Sequence, residues 1–402
     1  MKWSETTVGR LIELEYGEPL KAENRDSDGK IPVAGSNGIV GYHSRPLVKG
    51  PGIVIGRKGS AGKVTWLEKD FWPIDTAFYV RPKVDLNLKW LFYFLKQLNL
   101  ERLAIVTGVP GLNRNSVYPT PASLPAPSEQ NRIVEILEQA DSLRQKRSEA
   151  DALAYRILPA LFNHYFGEPT ANPKKWPTHQ LLELADFVSG ATPSKENSAF
   201  WEGKIPWVSP KDMKQTELHD GIDHVSDLAV AETNLKLLPR DTVLIVVRGM
   251  ILTHTVPVCL ARVPLTINQD MKGLRPKGGV SAEFLQWALL AQHSELLRLV
   301  STAAHGTRKL DIDALESLRI PVPPLPRRDL IKKWTNIVRE QQAASKRRTQ
   351  CRESIEQIWR AMLNRAFTGE LTALWREAHM KELLVEMEQQ ARLLRSNPNG
   401  RN

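Results

Sequence analysis

The chain has 402 residues, 42% hydrophobic and 25% charged, which suffices for two ordinary domains with connecting structure and excludes disorder over most of its length. Its 55 Lys and Arg against 45 Asp and Glu give a formal charge of +10, the balance of a protein with a polyanionic partner: nucleic acid first, a membrane surface second. Two cysteines, Cys259 and Cys351, exclude a disulfide framework and a four-cysteine zinc site, and no run approaches the roughly 20 apolar residues of a membrane-spanning helix.

The start, Met1-Lys2-Trp3-Ser4-Glu5, has no signal-peptide core, so a cytoplasmic protein is expected. Short β-rich runs come first, Gly52 to Gly56 and Phe78 to Arg81 among them, with glycine-rich turns between them and one Trp-bearing helix over Asp85 to Asn99 behind. A loop from Gly108 to Asn115 precedes a proline-rich exit, Leu124-Pro125-Ala126-Pro127. Beyond it Ile136, Ala140, Leu143, Ala150, Ala154, Ile157 and Leu161 fall near a heptad spacing interrupted by Arg147. That spacing predicts one helix of roughly 36 residues with a single apolar seam. It closes on Phe166-Gly167-Glu168.

The same order of motifs then recurs. Gly29-Lys30-Ile31-Pro32 returns as Gly203-Lys204-Ile205-Pro206, and Ile53-Val54-Ile55 with Lys58-Gly59 returns as Val243-Leu244-Ile245 with Arg248-Gly249. Arg81-Pro82-Lys83 returns as Arg275-Pro276-Lys277 ahead of a second Trp-bearing helix, Ser281 to Arg298. Gly111-Leu112-Asn113-Arg114 stands against Arg308-Lys309-Leu310-Asp311, and Val322-Pro323-Pro324-Leu325-Pro326 is a second exit. The helix behind it carries Leu330, Trp334, Ile337, Gln341, Ala344, Arg348, Cys351, Ile355, Ile358 and Met362 on the same spacing and closes on Thr368-Gly369-Glu370. Single matches are cheap, but a series in fixed order is an internal repeat.

The expected layout is a domain over 1–127, a long helix over 128–168, a second domain over 172–326, a second long helix over 327–370, and a helical tail over 371–402. The tail's apolar positions run from Leu371 to Leu394, its end from Ser396 to Asn402 should fray, and it is expected to dock near the N-terminus. The fold class is α+β: two similar domains related by a pseudo-two-fold internal repeat, separated by two long helices forming an antiparallel coiled coil. A coiled coil between two chains is the alternative. At about 1.5 Å per residue each helix would extend on the order of 50 to 60 Å, longer than one turn of DNA.

Catalytic motifs fail on inspection. Gly56 to Lys63 is not a nucleotide loop, because Gly56 stands one place too early and Val64 replaces the hydroxyl residue. No zinc-protease, hydrolase-elbow, dinucleotide-binding or amino-methyltransferase motif occurs. Asp28-Gly29-Lys30 and Asp212-Met213-Lys214 share their order with the end of a nuclease metal motif, but such triplets are common by chance. A non-enzyme with no catalytic residue and no metal site is expected.

Over essentially its full length the chain resembles the specificity subunits of type I restriction-modification systems. The resemblance rests on the duplicated region, on Leu124-Pro125-Ala126-Pro127-Ser128-Glu129-Gln130, and on the long helix behind each exit. Ile31 to Tyr42 with Gly52 to Gly62 looks like one recurrent kind of target-recognition domain, and Ile205-Pro206-Trp207-Val208 with Ile267-Asn268-Gln269-Asp270 like the other. One departure is Pro326-Arg327-Arg328 at the second exit, where the first has Ser128-Glu129-Gln130.

The resemblance implies that each domain reads half of a split duplex DNA site while the helices fix the spacer and dock two methyltransferase subunits. Motor-nuclease subunits would join for cleavage. The chain itself would bind no cofactor, S-adenosylmethionine, ATP and Mg belonging to the partners. Alternatives are a specificity module of a bifunctional restriction-methylation enzyme and an RNA-binding scaffold.

DNA reading needs side chains for base edges and donors for phosphates, on loops carried by a rigid scaffold. In the first domain Ser36 and Asn37 occupy a glycine-flanked turn, with Tyr42 and His43 beyond; Arg57, Lys58, Ser60 and Lys63 form a basic cluster, and Asn113 and Arg114 a third loop. The second domain offers Ser209 and Lys211, then Arg248, Thr253 and His254, then Gln269, then Thr307, Arg308 and Lys309. Each basic residue is equally readable as a solvated charge, His254 as a structural histidine, and Gln269 with Asp270 as turn stabilisers. The first domain has 17 Lys and Arg against 12 Asp and Glu, the second is balanced, and Arg339, Lys346, Arg347, Arg348 and Arg352 line the second helix, toward phosphates or an acidic partner.

Overall fold

A computed structural model describes residues 3–26, 28–106, 108–154, 156–302 and 306–396, the last four by backbone alone. The chain forms two compact units, Met1–Ser148 with Cys351–Asn402, and Glu149–Gln350, whose boundaries fall inside the two long helices.

In the first unit β1 (Ser4–Thr7), the single turn α1 (Val8–Leu11) and β2 (Ile12–Tyr16) lead to a hairpin of β3 (Ile31–Gly35) and β4 (Gly38–His43). There follow β5 (Gly52–Gly56), β6 (Val64–Leu67), β7 (Trp72–Pro73), β8 (Ala77–Pro82), α2 (Leu88–Gln97), α3 (Arg114–Val117), β9 (Pro121–Leu124) and α4 (Pro127–Ala154). The main sheet has the order β2-β8-β5-β6, beside it stands β4-β3-β7, and β1 pairs with β9. Strand β5, Gly-Ile-Val-Ile-Gly, is buried at every position, as a continuous apolar run at a sheet centre requires. Helix α2 starts where the Asn87 side chain accepts from the Lys89 and Trp90 amides, and Asn99 in the left-handed region (φ 49°) follows its end. The expected span of 85–99 is shortened to the capped part.

The second unit holds α5 (Ile157–Phe166), β10 (Thr178–Gln180), α6 (Leu181–Leu184), β11 (Ala185–Ser189), β12 (Ile205–Val208), β13 (Glu217–Leu218), β14 (Asp223–Val225) and α7 (Asp227–Glu232). Then come β15 (Val243–Val246), β16 (Val258–Ala261), β17 (Thr266–Ile267), β18 (Met271–Pro276), α8 (Ala282–Ala291), α9 (His293–Arg298), β19 (Val300–Thr302), β20 (Arg308–Leu310), α10 (Ile312–Glu316), β21 (Arg319–Pro321) and the start of α11 (Asp329–Thr368). Its sheets repeat the first unit's: β11-β18-β15-β16 extended by β13, then β14-β12-β17, and β10 with β21. The second Trp-bearing helix, expected unbroken over 281–298, is interrupted at Gln292.

The first long helix departs from expectation too: α4 stops at Ala154 and α5 begins at Ile157. Arg156 is a turn, and Pro159, which has no amide proton to donate back into a helix, is the physical reason. Both helix stops read from the sequence hold, with Gly167 and Gly369 each at φ 80° just past the last turn.

The apolar seams hold in part, Trp334 being buried and Ala140, Leu161, Leu330, Ile337 and Met362 packing against the cores, but elsewhere they are displaced by about one residue. Leu143 is 69% exposed and Ile358 is 59% exposed. The buried positions are Ile133, Val134 and Leu137 on α4, Trp359 and Ala366 on the end of α11, and Ile331, Trp334 and Val338 on its start. These stripes join the domain cores: the first set packs with Trp90, Leu91 and Val117, and the start of α11 with Phe162, Phe166 and Phe284. A strict heptad drifts by about 20° per repeat on a straight helix, and here the surface that covers each stripe is largely a domain. Within the first unit α4 and α11 run antiparallel, Arg144 meeting Glu356 at 3.0 Å while Glu129 meets Arg376, just past α11, at 2.7 Å.

The tail forms α12 (Ala373–Ala378) and α13 (Met380–Ser396), and it does return to the N-terminal segment. Arg376 lies 5.3 Å from the Trp3 ring, and Gln390 donates to the Pro125 carbonyl. Buried Glu129 accepts from Trp3, Thr372 and Arg376, and Glu386 holds Ser128. The first exit's Ser-Glu-Gln thus seats the tail, whereas the second exit makes a 3-10 turn over Leu325–Arg327. The frayed end expected at 396–402 lies, beyond Ser396, outside the described residues. No helix of the described residues is long and apolar enough to cross a membrane, and they hold no cluster of metal-ligating side chains.

Candidate nucleic-acid interface

Main-chain hydrogen bonds gather three loops at one edge of each domain, in the same pattern. In the first, the Arg57 and Lys58 amides donate to the Thr76 carbonyl (2.8 and 3.1 Å), Gly59 to Pro110 (2.9 Å), and Leu112 to Arg57 (2.8 Å). In the second, Val247 and Arg248 donate to Asp270 (2.8 and 3.2 Å), Gly249 to Arg308 (3.0 Å), and Leu310 to Val247 (2.9 Å). Lys58 therefore corresponds to Arg248, Gly59 to Gly249 and Leu112 to Leu310. This corrects the third motif pair by one residue: Asn113 matches Asp311, and both cap a short helix by accepting an amide.

In the first domain the β3–β4 turn joins the cluster, Lys63 donating to the Asn37 carbonyl and Oδ1 at 2.9 and 2.7 Å. Gly56 permits this approach, since a Cβ there would lie 2.0 Å from the Ser60 oxygen and 2.8 Å from the Ser36 oxygen. Ser36, Asn37, Arg57, Lys58, Ser60, Lys63, Asn113 and Arg114 thus belong to one edge. Asn37 and Lys58 are exposed. Tyr42 and His43 are carried away from it, at the far end of β4, about 16 Å of strand from the turn. Tyr42 is exposed there, whereas His43 packs edge-on to Trp72 (5.4 Å).

Two arginines share an aromatic support. The Arg57 and Arg114 guanidiniums lie 4.8 and 5.0 Å from the Tyr16 ring, and they also donate to the Asp75 and Leu14 carbonyls. Behind them Glu13 pairs with Lys83 at 2.7 Å and accepts from Tyr118. Burial alone would raise the Glu13 pKa, but hydrogen bonds from Lys83 and Tyr118, with Arg114 nearby, hold it below the usual carboxylate value. Burial and that hydrogen bond push the Tyr118 phenol up to about 12.

In the second domain Arg248, Thr253 and His254 are exposed on the loop after β15, and Lys309 pairs across a bridge with Arg248. Arg248 stands 3.9 Å from Asp270, and Arg308 donates to Thr302 at 2.6 Å beside half-buried Thr307. Gln269 is exposed and accepts from Thr192, while Asp270 and Asn268 brace the turn. Ser209 is buried in a capping box with Asp212, its hydroxyl donating inward at 3.0 Å, so it presents nothing outward. Lys211 is held by Asp223 at 2.7 Å, which raises its pKa.

Sequence reasoning missed Tyr16, which no motif marks, and the apolar tips beside the cations. Ile105, Val106 and Val109 (75% exposed) lie on the loop whose Gly111 bridges both Ile105 and Lys58, and exposed Met250 and Ile251 follow Arg248 in its loop. Their signal was apolar residues inside glycine-bounded loops, at positions a soluble surface does not need to be apolar.

The profile of the type I restriction modification DNA specificity domain matches residues 1–150 and 173–342. The EcoR124I/EcoR124II specificity subunit of Escherichia coli is 29% identical over 333 residues, covering 77% of this chain and 80% of that protein. The EcoDI specificity subunit of the same organism is 21% identical over 93% of this chain and 90% of its own length. Among solved structures, the type I restriction-modification S subunit from M. genitalium superposes with a TM-score of 0.56 at 20% identity, over 91% of this chain and 96% of that one. A chain from a study of type I system assembly and conformational transition gives 0.58 at 16% identity, over 92% and 98%. The chain belongs to the type I restriction-modification DNA specificity family.

Proposed function

We propose that the chain reads duplex DNA as two half-sites, one at the loop edge of each recognition domain. It is a specificity subunit and performs no chemistry itself. The observation that carries the reading is the repeated main-chain frame: the same four hydrogen bonds hold a cation, a glycine and a third loop together in both domains. Such a frame presents variable side chains on fixed backbone, which is what a reader of two different half-sites requires. Arg57, Lys58, Lys63, Arg248 and Lys309 supply phosphate donors. Asn37 and Gln269 supply amides for base edges, and the apolar tips suit thymine methyl groups.

The long helices act as the spacer and, with adjoining surfaces, dock two methyltransferase subunits, motor-nuclease subunits joining for cleavage. S-adenosylmethionine, ATP and Mg chemistry belongs to those partners, and the assembly works in the cytoplasm. The test is binding by the chain with its methyltransferase partner to a methylome-defined split duplex. Affinity should exceed that for a scrambled duplex by at least about 1,000-fold and fall steeply with salt. Equal affinity for the scrambled duplex, or RNA outcompeting DNA, would overturn the reading.

A further inference from the structure

Where each domain meets its long helix there is an ion triad on corresponding positions with every sign reversed. In the first unit Lys89, two residues past the α2 cap Asn87, reaches Glu68 at 3.2 Å and Glu138 of α4 at 3.3 Å, its ammonium 4.3 Å from the Trp66 ring. In the second, Glu283, two residues past the α8 cap Ser281, accepts from Arg262 at 3.2 Å and from Arg339 of α11 at 3.3 Å. The strand ladders fix the correspondence: Ile53 pairs with Trp66 and Val243 with Leu260, so Glu68 and Arg262 each stand two residues beyond the partner of an equivalent residue. Glu217, Asp241 and Gln342 also hold Arg262, and only 2% of the Glu283 side chain is exposed.

The apolar part of the docking face discriminates by shape alone. Trp90 of α2 lies in one core with Ile133 and Leu137 of α4, and Phe284 of α8 lies in one core with Trp334 of α11. Trp, Phe and Ile differ in volume, so a swapped domain would fit less well there, but a core repacks around such a difference more readily than around a misplaced charge. Charges do discriminate: the first domain on α11 would set Lys89 against Arg339, and the second on α4 would set the buried Glu283 carboxylate against Glu138. Glu283 is buried whereas Lys89, Glu138 and Arg339 are partly exposed, so each pair adds little net stability, yet a buried carboxylate facing its like is strongly unfavourable, and the pairs act chiefly as selectors.

We infer that the triads are an electrostatic key of opposite polarity in the two halves, which admits the first domain to α4 and the second to α11. In a chain whose domains share one frame, the key keeps each on its own helix. On the reading proposed above it also fixes the order of the half-sites, though the key itself stands on packing and charge alone.

The test is a reversal of sign, read by thermal unfolding and hydrogen exchange of the full chain without DNA. Arg339→Glu in the natural chain should lower the unfolding midpoint of the second unit by about 3 °C or more. In a full-length chain with residues 4–124 placed in the second position, between 176 and 323, the same Arg339→Glu should instead raise it, because Lys89 then meets a carboxylate. If the chimera does not fold, the first unit supplies the test: Lys89→Glu with Glu68→Arg should be rescued by adding Glu138→Arg. Loss of stability from Arg339→Glu in both contexts, or no rescue by Glu138→Arg, overturns the key. Because neither readout involves DNA, failure of the key is separable from failure of the DNA-reading function.

Discussion

The two recognition domains agree, donor for donor and acceptor for acceptor, in the four main-chain hydrogen bonds that frame their loops, and differ in the chemistry that braces those loops. The first relies on an aromatic support, Tyr16 between Arg57 and Arg114, and on Lys63 reaching the neighbouring turn. The second relies on ion pairs and caps: Arg248 near Asp270, Lys211 on Asp223, Ser209 on Asp212. Main-chain bonds depend little on side-chain identity, so a duplicated frame survives while its bracing diverges, and that divergence is what lets one fold present two reading surfaces.

The largest expected effect separates the domains outright. Replacing residues 1–127 by another recognition domain should change one half-site completely and leave the other intact in methylome sequencing; change in both halves would break the comparison.

Next is a position where the frames coincide and the contents do not. Gly56 corresponds to Val246, since their amides bond Lys63 and Pro257 in turn. Gly56→Val drives a side chain into the Ser60 and Ser36 carbonyls and should cost about 3 kcal/mol, seen as faster hydrogen exchange in the first unit alone. Normal exchange there would mean that the β3–β4 turn is not seated as described.

A smaller effect probes the shared cation. Lys58→Ala and Arg248→Ala should each reduce the slope of log affinity against log salt by about 0.9, and the double variant by the sum. An unchanged slope for either would assign that charge to solvent.

The smallest effect is titration of Glu13, which only the first domain's bracing uses. Its folded pKa lies below the ordinary glutamate value of 4.5, so its contribution to stability is present above that value and lost as pH falls through the folded pKa. Glu13→Gln should therefore lower stability at neutral pH and flatten its decline below about pH 4.5.

Much of this was legible in the sequence because repeats survive as ordered motifs. Gly59 and Gly249 mark the same loop, and Gly167 and Gly369 the same helix stop, because left-handed backbone leaves few residue choices. The seams were misplaced in part because periodicity records that a helix buries a stripe, while Trp359 and Ile358 differ only in which neighbour covers them. The break after Ala154 was written in Pro159 but masked by the heptad pattern around it. For the interface, the cations were readable by type. Ser209 turned inward, and Tyr42 and His43 lay a strand-length away, because exposure and distance are set by pairings no local window contains.

The amino-acid sequence by itself determined the duplication, the α+β character of each half, the long helices and their glycine ends, and the family, since these follow from local propensity, turn stereochemistry and motif order. Tertiary structure alone decided which loops meet, which face of each helix is buried, where the tail docks, and that the charges where each domain meets its helix are inverted between the halves. Those are contacts between residues far apart in the chain, fixed only when strands pair and burial makes an unpaired charge costly.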